Sequence, residues 1–151
     1  MRREGGAVGE RADIQRAAML FGIIFLAVGV LGFIPGITTN YDNLTVFDGV
    51  GAKLLGIFGV NILENIVHLL YGVAGLAAAS SWAASKNYFV WGGAVYVALW
   101  LYGLIIDETS SANFVGLNEA AHWLHLVLGV AMIAAGFLLS RRVLANRAVT
   151  T

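Results

Sequence analysis

The chain's three histidines all fall in two short polar stripes. Asn61, Glu64, Asn65 and His68 recur at spacings of three and four residues, which puts them on one face of a helix. Asn118, Glu119, His122 and His125 repeat the pattern further along. Glu119-x-x-His122 has the i, i+3 spacing that carboxylate-bridged di-metal bundles use. With Glu64, His68 and His125 it offers nitrogen and oxygen donors suited to zinc, copper or iron. His68 and His125 on facing helices could instead be axial ligands of a haem. A histidine beside a carboxylate also titrates near neutral pH, as a proton- or quinone-linked site requires. The structural alternative has no cofactor at all: an interhelical hydrogen-bond network, each bond contributing about 0.6 kcal/mol. These readings stay open at the level of sequence. Other chemistries do not. The chain has no cysteine, no Ser-His-Asp elbow, no His-Glu-x-x-His and no phosphate loop, so no catalytic residue is assigned and it reads as non-enzymatic.

The elements that must carry these stripes follow from composition. Of 151 residues, 59% are hydrophobic and only 12% charged, and the net charge is zero. Average globular domains have about 45–50% apolar and about 25% charged residues. So few charges cannot hydrate a soluble sphere of this size, and no basic patch exists for nucleic acid. The expected fold class is all-α, an integral membrane four-helix bundle forming a single domain over 1–151. Four stretches approach the roughly 20 apolar residues a spanning helix needs: about 17–34, 65–84, 88–106 and 121–140. The first is too long for a signal-peptide core, and Ile34-Pro35-Gly36 is no cleavage site. Arg2, Arg3, Arg11, Arg16, Lys86, Arg141, Arg142 and Arg147 fall on one side of these spans, against Lys53 alone on the other. Both termini are therefore expected in the cytoplasm. The outer loop, about 35–64, is the longest connection, and Ala52–Phe58 is apolar enough to lie in the interface as a short helix. Asp107 and Glu108 read as solvated interfacial charges.

Shifting the chain by 57 residues lays span two on span four, with seven of fifteen positions identical over 65–79 and 122–136. His68 falls on His125, Gly72 on Gly129, and just upstream Asn61 on Asn118. A shift of 71 lays Gly22 on Gly93. The expected arrangement is two helical hairpins related as a parallel internal repeat, which sets His68 and His125 at the same depth near the outer surface. Gly29, Gly32, Gly72 and Gly129 are the expected close-packing positions between helices.

Phe33-Ile34-Pro35-Gly36-Ile37-Thr38-Thr39, Ala52 to Phe58, Asn65 to Leu76 and Asn113 to Leu126 together resemble a bacterial membrane family, catalogued as domain of unknown function 4383. The resemblance covers roughly 16–140 and implies a four-span membrane protein with no established activity. Within it, Asn65, His68 and His125 match the family's own motif. Glu64, Ala121 and His122 depart from it, and Gly116 stands where the family often has proline. The expected role is a small polytopic protein of the bacterial cytoplasmic membrane, a structural or accessory subunit of a larger membrane complex or a homo-oligomer, surrounded by lipid bilayer. The alternative is a metal- or haem-binding protein using the outer His/Glu cluster.

Overall fold

The computed structural model describes residues 13–47 and 51–149, with side chains up to Ser140. Arg2, Arg3, Arg11 and Asp48 lie outside the described residues. Helix α1 (Asp13–Leu31) buries Ile14, Ala18, Gly22, Phe25 and Gly29, one position per turn, and leaves Leu20, Ile23 and Val30 exposed. The Thr38 hydroxyl closes its C-terminus by donating to the carbonyls of Leu31 and Gly32 at 3.1 and 3.2 Å. Helix α2 (Ile62–Ala78) starts at Asn61 and α3 (Trp82–Gly103) at Ser81, both in extended backbone, both accepting a backbone N–H three residues on. Helix α4 (Glu119–Val149) is the longest among the described residues, running past Ser140 through a stretch with three Arg and two Ala. α1 packs chiefly on α2 and α3 on α4; α1 and α4 touch little.

Among the described residues four α-helices carry the fold, and α1 and the Glu119–Ser140 part of α4 are long and apolar enough to cross a membrane. α2, at 17 residues, is a shorter apolar helix. The expected second span ran on to residue 84, but α2 stops at Ala78. Ser81 caps the next helix, and the buried Ser85 hydroxyl donates back to the Ala78 carbonyl at 2.9 Å, so Trp82–Ala84 open α3 instead.

The expected interfacial helix at Ala52–Phe58 is a correction: those residues form a β-hairpin. Strands β1 (Thr38–Thr39), β2 (Ala52–Leu54) and β3 (Phe58–Val60) make an antiparallel sheet in that order, with Leu54 opposite Phe58. Leu55 and Gly56 turn the hairpin at φ 54 and 72, both in the left-handed region that tight hairpin turns use. Ala52, Leu54 and Val60 are buried against Val28, Leu31 and Ile37. A single apolar face packed on the end of α1 is why the segment is a strand pair and not a helix. The sheet roofs the end of the bundle where α2 and α4 begin.

Beneath that roof lies an aromatic core. Phe25 of α1 stacks on Tyr96 of α3 at 5.8 Å and meets Tyr71 of α2 at 5.4 Å. Tyr71 also donates its hydroxyl to the Gly92 carbonyl at 3.1 Å. The helices approach most closely at glycines. A Cβ on Gly22 would lie 2.9 Å from the Gly72 carbonyl, and one on Gly93 would lie 2.7 Å from the Gly129 carbonyl. Gly29 faces Leu69, and Gly32 lies flat against the buried amide of Asn65, whose oxygen would be 2.0 Å from an added Cβ.

Candidate metal centre at the roofed end of the bundle

Glu64 and His68 are one turn apart on α2, and His125 comes from the equivalent turn of α4. The three are 5%, 8% and 4% exposed. Each offers a donor atom, and these atoms lie within 4.8 Å of one another. His125 Nε2 is 3.5 Å from Glu64 Oε1. The imidazoles are held by rings: Phe25 stacks on His68 at 5.9 Å, and Tyr96 meets His125 edge-on at 5.0 Å. Glu64 Oε2, His68 Nδ1 and His125 Nδ1 have no hydrogen-bond partner in the protein.

Tetrahedral zinc, with bonds of about 2.0–2.1 Å, sets neighbouring donors roughly 3.3 Å apart. The Glu64–His125 pair already has that separation, and small rotations would bring in His68. Two imidazoles, one carboxylate and a free fourth position make a set zinc takes readily. A haem fits poorly. An oxygen within 4.8 Å of both axial nitrogens would fall inside the disc of the macrocycle.

The other residues expected in the cluster stand elsewhere. His122 turns to α3, where its Nε2 is 2.7 Å from the Trp100 carbonyl and its ring rests against Gly103. Glu119 is exposed, and with His122 it lines a separate cavity of about 130 Å³ beside Glu108 and Asn113. The Glu119-x-x-His122 pair therefore contributes nothing to the three-residue cluster. Asn65 is fully buried but faces α1 at Gly32. Glu108 is not simply solvated, since its carboxylate accepts the N–H of Glu119 at the start of α4, where the helix dipole favours it. Asp107 accepts both the N–H and the hydroxyl of Thr109, which hold its carboxyl below the usual range.

Asn61 and Asn118 are braces. Asn61 Oδ1 accepts from Glu64 N at 2.8 Å, and its Nδ2 donates to the Phe114 carbonyl at 2.7 Å. Asn118 Oδ1 accepts from Ala121 N at 3.0 Å and Gly59 N at 2.9 Å, while its Nδ2 donates to the Ile57 carbonyl at 2.8 Å. Each asparagine thus caps its own helix and reaches into the loop that leads into the other. Replacing Asn118 by alanine breaks all three bonds, and an expected loss of about 2 kcal/mol follows from the missing cap and the unpaired groups it strands. Asn118→Asp keeps both acceptor bonds and should lose less. Thermal unfolding of the two variants side by side measures the difference.

Sequence reasoning passed over Phe25, Tyr96 and Asn113. Asn113 is buried and organises the loop before α4, donating to the carbonyls of Glu108 and Leu117 and accepting from Leu117 N. Tyr71 was within reach, because it continues the Glu64–His68 face by one more turn.

The family model of a domain of unknown function (DUF4383) matches residues 15–138. No curated protein and no solved structure is significantly similar to the chain.

Proposed function

The chain belongs to the DUF4383 family, and on that premise we propose that it is a four-span membrane protein that holds a transition-metal ion of the zinc class. Glu64, His68 and His125 are the ligands. The observation that carries this reading is their convergence within 4.8 Å in a buried place. Buried polar groups normally have close partners, but the contact between Glu64 Oε1 and His125 Nε2 is 3.5 Å, longer than an ordinary hydrogen bond; one ion between these side chains would engage all three.

The membrane setting draws support from the surface. Leu20 and Ile23 on α1, Leu70 and Val73 on α2, Trp91 and Leu101 on α3, and Val127 and Leu138 on α4 are all exposed, an apolar belt on every helix. The distribution of Lys and Arg favours cytoplasmic termini in a bacterial inner membrane. The corresponding glycine contacts, Gly22 on Gly72 and Gly93 on Gly129, and the matched asparagine caps favour a parallel repeat of two helical hairpins. In this reading the protein is a small accessory subunit that carries its ion within a larger membrane assembly or a homo-oligomer.

Elemental analysis tests it. Protein purified in mild detergent, incubated with zinc and passed through a desalting column should retain about one equivalent per chain. Glu64→Gln, His68→Ala and His125→Ala should each lose the ion; Glu119→Gln and His122→Ala should keep it. Wild-type protein that retains no zinc would leave the cluster as a polar clamp between α2 and α4.

A further inference from the structure

The three ligands also form the polar end of a second feature. A cavity of about 300 Å³ lies between α1, the hairpin and α4, and Glu64, His68 and His125 are the ionisable groups on its wall. Its remaining walls are apolar, among them Phe21, Phe25, Phe58 and Leu128. That volume is at the lower end of the range for ligand pockets and about ten times the share of one water molecule. Ile24 and Leu55 line it and are 47% and 61% exposed, so it opens outward between α1 and the hairpin turn. Across the cluster, toward α3, the protein leaves only about 30 Å³, room for one or two waters.

We propose that this cavity takes the head and first carbons of a single-chain amphiphile ending in a carboxylate, whose oxygen fills the fourth position on the ion. The inference rests on the metal reading above. A divalent ion held by one carboxylate and two neutral imidazoles keeps one unit of positive charge, which is unfavourable in a site this dry. An anionic oxygen neutralises it. The polar groups sit together on an otherwise apolar wall, so the chain lies against that wall and leaves between Ile24 and Leu55. In the four-span arrangement that mouth faces the outer part of the bilayer, where such amphiphiles reside. Both side chains at that mouth are exposed, so entry needs no helix to move.

Cobalt(II) in place of zinc makes the test visible. Protein in phosphatidylcholine nanodiscs, loaded with cobalt, is titrated with decanoate and separately with decanol. Decanoate should change the visible cobalt bands and bind roughly tenfold tighter than decanol, a difference equivalent to about 1.4 kcal/mol. Ile24→Trp and Val28→Phe, which narrow the cavity away from the ligands, should load cobalt normally and lose the decanoate response. Cobalt bands that ignore decanoate overturn this inference and leave the metal site standing. Failure to load cobalt overturns both, and an equal response to decanol and decanoate overturns the assignment of the head group.

Discussion

Replacing His125 by leucine is expected to lower the stability of the metal-free protein by about 1–3 kcal/mol, the usual cost of leaving a buried polar group without its partner. Glu64 is 5% exposed, its Oε1 lies 3.5 Å from His125 Nε2, and its second carboxylate oxygen has no partner in the protein. Leucine at 125 would take away the donor nearest to a buried carboxylate. Removing both groups removes the problem, so Glu64→Leu/His125→Leu should be more stable than His125→Leu alone. A double-mutant cycle of unfolding in detergent, with chelator present, reads this directly. Additive losses would show that the two side chains do not share an interaction.

The second large effect is at the helix crossings. A Cβ on Gly93 would stand 2.7 Å from the Gly129 carbonyl oxygen and 3.0 Å from Ile133 N, and one on Gly22 would stand 2.8 Å from Leu76 N. These neighbours are backbone and cannot rotate aside. Gly93→Ala and Gly22→Ala should each cost about 1–3 kcal/mol, and leucine at either position more. Gly92 is the control next door. Its added Cβ would meet the flexible Met132 Cε at 3.0 Å, so Gly92→Ala should be tolerated or, through better helix propensity, gain up to about 1 kcal/mol. For a chain of this length each kcal/mol moves the melting temperature by roughly 2–4 °C. Equal effects at 92 and 93 would place the close crossing elsewhere.

The long apolar runs made the helices legible, because a run of that length has few other homes. The hairpin was not. Ala52-Lys53-Leu54 alternates over only three residues before Leu54-Leu55 breaks the pattern, and its turn puts a leucine where Asn or Gly would have announced it. The end of α2 was hidden for a related reason. Residues 77–84 contain only Ala, Ser and Trp, so the break depends on which serine caps and not on any change of hydropathy. At the site, the sequence match at an offset of 57 residues pointed to His68 and His125, and their donor atoms lie within 4.8 Å. The i, i+3 rule also pointed to His122. Three residues at 100° each leave two side chains about 60° apart around the axis. At the length of an imidazole that angle is enough to send His125 to Glu64 and His122 to the Trp100 carbonyl on α3. Spacing identifies a face, whereas the partner depends on what the neighbouring helix presents.

The paired asparagines also bear on the order of assembly. The amide of Asn61 donates to a carbonyl 53 residues downstream, and Asn118 reaches back 61 residues to Ile57. A ribosome delivers the first hairpin well before the acceptor at Phe114 exists. α1 and α2 can pair by their glycines at once, but the latch over their roofed end closes only when the second hairpin arrives with its own loop on the same side. In the proposed four-span arrangement, a chain whose second half inserted upside down would keep its helices and lose both latches. The two asparagines thus act as a proofreading step, rewarding only the relative orientation in which Glu64 and His68 can meet His125.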